Sequence, residues 1–314
     1  MSAMIDCQGL TKQYGQLLAV DNLSFRVEPG EVLGFLGPNG AGKTTTMRIV
    51  AGFLPATSGR VLVCGYDVES QSIEAKRRIG YLPEGAPGYP EMTPRTFLEF
   101  VADARGLSGQ ERRKRLDDAY EALHLDKVLE QSIETLSKGY RRRVGLAQAI
   151  LHDPEVLLLD EPTDGLDPNQ KHEVRQLIGN MAKNKIVVIS THLLEEVDAV
   201  CTRAVVIAHG KILADDTPSG LEARSRFHNA VSLKLVDPSR LAAAQADIQA
   251  LPEVAATELD AKSGRLTAFP VPGKLPLRPI NRLAEQSGWE LDELHLESGR
   301  LDEVFRSITG GASA

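Results

Sequence analysis

The sequence predicts an α/β domain split by a helical insert, followed by a smaller α+β domain of ferredoxin-like order. Short apolar runs within Glu31–Leu36, at Val156–Leu159 and at Ile186–Ile189 have the form of parallel strands covered on both faces. The first of them passes through a Gly-rich turn, GPNGAGKTT, into a helical stretch, TTMRIVAGF. A strand, a glycine turn and a helix in that order begin many α/β folds. Beyond about Phe227 the pattern reads strand, helix, strand, strand, helix, strand, which is a split βαβ arrangement.

Taken in chain order, Leu17–Pro29 partly alternates in polarity and predicts strands joined by turns. Arg60–Cys64 and Arg77–Leu82 read as further short strands. Pro83–Pro94, PEGAPGYPEMTP, is a Pro/Gly-rich loop. Helical periodicity continues over Thr96–Ala104, Gly109–Leu123 and Arg141–His152, so the insert covers about residues 84–152. Its basic run, Arg112–Arg115, reads as a solvated helix face. In the second domain, strands are predicted at Ser232–Val236, Val254–Leu259, Arg265–Pro270 and Glu290–Leu296. Helices are predicted at Ser239–Leu251, Pro279–Ser287 and Leu301–Ile308, and Trp289 is expected to pack in the core. The domains are thereby drawn as 1–220 and 227–314.

Composition narrows the classes. A chain of 314 residues at about 150 per domain suggests two domains. The net charge of -7 argues against a general affinity for nucleic acid or anionic lipid. Cys7, Cys64 and Cys201 are odd in number and scattered, which suits neither a disulfide framework nor a zinc site. Cys64, in the run Val61–Cys64, is expected in the core, and the cytosol is the expected compartment. No stretch approaches the roughly 18 apolar residues of a membrane span. The start, MSAMIDCQG, lacks a signal-peptide pattern. Any membrane channel this protein serves is expected on another chain.

Gly37-Pro38-Asn39-Gly40-Ala41-Gly42-Lys43-Thr44 matches G-x-x-x-x-G-K-[ST] and lies between a predicted strand and a predicted helix, with Thr45 next in the chain. Its glycines let the backbone wrap tightly enough to aim successive N–H groups at phosphate oxygens. The helix after it adds the positive end of its dipole. Lys43 is expected to reach the β- and γ-phosphates of a nucleotide and Thr44 to ligate Mg2+. The complement is Val156-Leu157-Leu158-Leu159-Asp160-Glu161, an apolar strand that delivers two carboxylates to the carboxyl edge of the sheet. Asp160 is expected to hold Mg2+ through its water shell, and Glu161 to polarise the attacking water.

Between these motifs, Leu136-Ser137-Lys138-Gly139-Tyr140 resembles the LSGGQ signature of ABC ATPases. Asp164-Gly165-Leu166-Asp167 resembles their D-loop, and Ser190-Thr191-His192 their switch histidine. Five motifs in the family's order span residues 1 to about 220. The finer resemblance, carried by PEGAPGYPEMT, LSKGYRRRVGLAQAI, VIAHGKILADDTP and LDEVFRSITG, is to ATP-binding subunits of ABC-2-type exporters of the drug-efflux and gliding-motility kinds. That resemblance implies a P-loop ABC ATPase domain with an antiparallel β subdomain, a RecA-like core and a helical subdomain.

By the same resemblance, Tyr14 stacks on adenine, the alternative being a plain hairpin tyrosine. Ser137 and Gly139 cap the γ-phosphate held by the other copy of a homodimer, Asp167 communicates across that dimer, and His192 bonds the γ-phosphate or the water. A permease helix docks near the insert, where Pro83–Phe100 offers Tyr89, Met92, Phe97 and Phe100, residues that equally suit the insert's own core. The ATPase then lies at the cytoplasmic face of the membrane.

Three positions depart from the family pattern. Glu84 replaces the usual Q-loop glutamine and is a harder ligand for Mg2+ than an amide. Lys138 and Tyr140 stand where Gly and Gln are common, and Lys138 is expected to be solvated. Asp164 stands where Ser is frequent. The single compact cassette disfavours translation-factor and chromosome-type ATPases, and Asn184-Lys185-Ile186-Val187 fails the guanine-reading motif of GTPases. Two readings stay open: an enzyme energising export through a permease, and a regulatory ABC module that controls a partner without moving a solute.

Overall fold

The chain enters on two long antiparallel strands, β1 (Ile5–Tyr14) and β2 (Leu17–Val27). The computed structural model describes residues 4–85, 88–183 and 185–310, so Asn184 and, within the predicted 83–94 loop, Ala86 and Pro87 lie outside the described residues. Alternation hides β1 because it slips. Ile5 and Cys7 point inward, then an extra residue shifts the pairing from Cys7 opposite Phe25 to Leu10 opposite Leu23, and Leu10 is buried. Similar irregularities in β2 make one strand of what reads as several.

The core begins with β3 (Val32–Leu36), buried at every residue, and α1 (Lys43–Val50). Next come β4 (Ser58–Val63), β5 (Tyr66–Asp67), α2 (Ser72–Arg77) and β6 (Ile79–Leu82). The insert contributes α3 (Pro94–Ala104), α4 (Gly109–Ala122) and α5 (Lys138–Ile150). α3 starts where a capping box is closed between Thr93 and Thr96, with Pro94 opening the helix. α5 starts three residues before the predicted Arg141 because Ser137 caps it, its hydroxyl accepting from the Tyr140 N–H at 3.3 Å. In the basic run of α4, Arg112 pairs with Asp103 at 2.8 Å and Arg115 with Asp153 at 3.0 Å, so part of that face is bridged to neighbours.

The core resumes with β7 (Val156–Asp160), α6 (Pro168–Ala182), β8 (Ile186–Thr191), α7 (Leu194–Val200), β9 (Arg203–Ala208) and β10 (Lys211–Asp216). Six strands form one sheet in the order β10-β9-β3-β8-β7-β6, parallel except for β10. A second sheet, β2-β1-β4-β5, is antiparallel. The two share a core, in which Phe25 meets Phe35 edge-on at 5.0 Å. A fully buried side chain such as Phe35 contributes about 1.5–3 kcal/mol. The register of the parallel strands decides where their loops lie. Leu36 pairs with Thr191 and Asp160 with Ser190, so the loops leaving β3, β7 and β8 emerge side by side on one edge.

The chain divides between Thr217 and Pro218. The second unit contains α8 (Pro218–Glu222), β11 (Val231–Leu235), α9 (Leu241–Gln249), β12 (Val254–Asp260), β13 (Arg265–Pro270), α10 (Leu277–Ser287), β14 (Leu291–Leu296) and α11 (Leu301–Gly310). Its sheet runs β12-β13-β11-β14 and is antiparallel throughout. Val231, Leu233, Ala244, Ile248, Leu266 and Ile280 form its core, and the half-buried Trp289 packs against them. Among the described residues no helix is long and apolar enough to cross a membrane. Cys7 and Cys201 are buried, whereas Cys64 is half-buried at the rim of the core, with its thiol pushed up to about 12 mainly by burial.

Candidate functional site

The turn after β3 needs glycine for two different reasons. A Cβ on Gly37 would lie 2.3 Å from the Ile207 carbonyl oxygen, too close for any side chain. Gly42 has φ +103, and a Cβ there would lie 2.5 Å from the Ala19 carbonyl oxygen. The turn ends at Lys43, the first residue of α1 and only 6% exposed. Its ammonium donates to the carbonyls of Gly37 at 2.6 Å and Pro38 at 3.1 Å. Burial lowers its pKa, while Glu161, Asp160 and Glu84 act in the opposite sense. The loop thus holds one positive charge facing three acidic side chains.

The end of β7 supplies the complement. Asp160 is fully buried, and its Oδ1 accepts from the Thr44 hydroxyl at 3.3 Å and from the Ser190 hydroxyl. Its Oδ2 is buried with no hydrogen-bond partner. An unsatisfied buried polar atom is costly, by about 1–3 kcal/mol and more when charged. A carboxylate oxygen left bare beside a threonine hydroxyl suits a hard divalent cation, which also takes phosphate oxygens and water.

Glu161 sits in the left-handed region at φ +50, a strained setting for a residue with a side chain. Its N–H donates to the Ser190 carbonyl at 3.0 Å, and its Oε1 lies 3.0 Å from His192 Nδ1. Neighbouring ends of β7 and β8 therefore bring together the two groups expected to handle water.

A cavity of about 450 Å3 opens above these groups, a size ordinary for a small-molecule site. It is lined by Tyr14, Leu17, Ala19, Asn39, Gly40, Ala41, Gly42, Lys43, Thr44, Thr45, Glu84 and Glu161. Tyr14 is 46% exposed at the rim, with the Lys12 ammonium 5.2 Å from its ring centre. Gly37 and Pro38 do not line the cavity but accept from Lys43, and His192 reaches it through Glu161. Ser137, Gly139 and Asp167 stand apart. Ser137 caps α5, Gly139 is buried in its first turn, and Asp167 caps α6 by accepting from the Gln170 N–H at 2.9 Å. Lys138, expected to be solvated, is exposed yet paired with Asp164 at 2.8 Å, so two departures from the family pattern meet each other. Sequence reasoning missed Ser190 as a partner of Asp160, and Arg142, whose guanidinium is buried beside the same loop.

Residues 20–164 match the family described as ABC transporter. The Nod factor export ATP-binding protein I of Paraburkholderia xenovorans (strain LB400) is 33% identical over 309 residues, which is 98% of this chain and 97% of that protein. The chain belongs to the ATP-binding proteins of ABC transporters. It is an ABC-type ATPase. The probable multidrug ABC transporter ATP-binding protein YbhF of Escherichia coli (strain K12) is 35% identical over 223 residues, 71% of this chain, and the match spans 38% of that longer protein. Among solved structures, the dimeric MJ0796, a bacterial ABC transporter cassette, is similar with a TM-score of 0.64 and 25% identity over 68% of this chain and 99% of the cassette.

This ABC ATPase carries a second, roomier cavity of about 550 Å3 away from the glycine loop. Phe53, Tyr81, Pro83, Val101 and Ala104 give it an apolar lining, with Arg48, Lys76 and Arg105 among its polar groups. Phe53 is 68% exposed and its ring lies 5.4 Å from that of Tyr81. The segment expected to receive a partner is differently disposed. Phe97 is buried in the insert, and Tyr89 meets Phe97 edge-on at 6.3 Å and Phe100 edge-on at 5.9 Å, while Tyr89 and Phe100 each stay about half exposed.

Proposed function

We propose that this ABC ATPase powers export through a separate integral-membrane permease of the ABC-2 type, working as a homodimer at the cytoplasmic face of the membrane. The observation that carries the reading is the end-to-end likeness to a Nod factor export ATP-binding protein, second unit included. The antiparallel β12-β13-β11-β14 order supports reading that second unit as a ferredoxin-like accessory domain that regulates or extends the dimer.

In this mechanism the loop from Gly37 to Thr45 wraps the phosphates of ATP with main-chain N–H groups, and Lys43 leaves the loop carbonyls to neutralise the β- and γ-phosphates. Tyr14 stacks on the adenine at the cavity rim. Thr44 and Asp160 hold Mg2+, with Glu84 the third group able to approach it. When bound there, Mg2+ would neutralise negative charge that develops on the phosphates in the transition state. Glu161 aligns the attacking water, and His192, hydrogen-bonded to it, steadies the carboxylate and faces the γ-phosphate. Ser137 and Gly139 lie outside the cavity, which fits a role in capping the γ-phosphate bound by the other copy. Hydrolysis removes the acceptors that the partner's signature needs, and the dimer opens.

Asp160→Asn keeps the shape of the side chain and removes its charge. It is expected to raise the Mg2+ concentration for half-maximal ATPase rate roughly 10–100-fold. A metal titration identical to that of the unaltered protein would take Asp160 out of the site.

The permease is expected to dock an amphipathic helix in the Phe53–Tyr81 groove. Co-purification with a polytopic membrane protein that stimulates ATP hydrolysis would support export. Phe53→Asp should release that partner while basal hydrolysis persists, since Phe53 does not line the nucleotide cavity. A chain that binds no membrane protein and is stimulated by none would instead favour the regulatory reading.

A further inference from the structure

Arg142, in the second turn of α5, is 5% exposed, and its guanidinium contacts three main-chain carbonyls. Nη2 donates to the Asp160 carbonyl at 2.6 Å and also to the Glu161 carbonyl, and Nη1 donates to the Pro83 carbonyl at 3.3 Å. These are neutral acceptors. The carboxylates of Asp164, Asp160, Glu161 and Glu84 act on it only through space, and its Nε is buried without a partner. Withdrawing a charge from water onto neutral carbonyls is expensive, and a helix this well packed could fill the position more cheaply with an apolar residue. Packing alone does not account for it.

The carbonyls it grips belong to the strained part of the site. Glu161 holds φ +50, and such a conformation persists only where its surroundings over-determine it. On one side, the Glu161 N–H is tied to the Ser190 carbonyl at 3.0 Å. On the other, its carbonyl is tied to Arg142. With both peptide groups held, the side chain is aimed so that Oε1 meets His192 at 3.0 Å. Pro83, the third acceptor, directly precedes Glu84.

We propose that Arg142 is a positioning residue for hydrolysis: it fixes the left-handed turn at Glu161 and ties the aim of that carboxylate to the loop carrying Glu84. The inference rests on the reading of Glu161 as the group that aligns water. Arg142 does not line the nucleotide cavity, so it acts through Glu161 and leaves ATP binding to the glycine loop.

The test is a double-mutant cycle on the full chain. Arg142→Gln should lower kcat about 10–100-fold, the scale of a misplaced catalytic group, with KM for ATP changed less than about threefold. Combined with Glu161→Gln, it should produce little further loss, because the group it positions is already gone. Arg142→Lys keeps the charge and a donor, should retain intermediate kcat, and carries the same comparison if the Gln variant does not fold. An unchanged kcat in Arg142→Gln, an equal fold-loss in both backgrounds, or a loss of ATP affinity that matches the loss of rate would overturn the proposal. Full activity of Glu161→Gln by itself would instead sink the catalytic reading beneath it.

Discussion

Glu161→Gln is expected to bind ATP normally, to lose roughly 10²–10⁴-fold in turnover, and to accumulate as a closed dimer. The amide keeps the size of the side chain and its place 3.0 Å from His192, but it no longer offers a carboxylate to align and polarise water. ATP then stays intact, and with it the γ-phosphate that joins the two copies. Size-exclusion chromatography with and without MgATP, beside a phosphate-release assay, reads both effects. A variant that turns over at the ordinary rate, or that stays monomeric in saturating MgATP with its membrane partner present, would refute the scheme. The same variant cut after Thr217 tests the second unit: weaker dimerisation is expected if residues 218–314 extend the interface.

Lys43→Ala is expected to reduce kcat/KM by roughly a hundredfold or more. Removing one partner of a buried, hydrogen-bonded charge pair costs about 2–5 kcal/mol, and each 1.4 kcal/mol is tenfold. The loss has a specific origin. Without the ammonium, Glu161, Asp160 and Glu84 face the phosphates with no cation from the glycine loop to offset them. Fluorescent-nucleotide binding and steady-state ATPase rates separate the loss in affinity from the loss in rate. Unchanged values in both would remove the glycine loop from phosphate binding.

Much of this site was legible because its chemistry is local in the chain. The glycine turn lies between a strand and a helix, and Asp160 and Glu161 close an apolar strand, so neighbours in sequence carry the signal. What was hidden depends on partners far along the chain or on broken periodicity. β1 escaped because an extra residue between Cys7 and Leu10 spoils its alternation. α2 spans six residues, too few to show a helical period, and α6 buries only a thin stripe of Val174, Ile178 and Ala182. Arg142 sits in a run of three arginines within the predicted helix, and only the fold shows that the turn of α5 carries it under the loop of Glu161. The Lys138–Asp164 pair links positions 26 residues apart and depends on the fold bringing two loops together.

The placement of Ser137 and Gly139 away from the cavity that holds Lys43 has a genetic corollary under head-to-tail pairing. Each copy would carry two unlike halves of a reaction centre, one on either side of the seam. A copy damaged at Lys43 and a copy damaged at Ser137 would together leave one centre wholly intact and concentrate both lesions in the other. Two individually defective alleles could then sustain partial activity in the same cell.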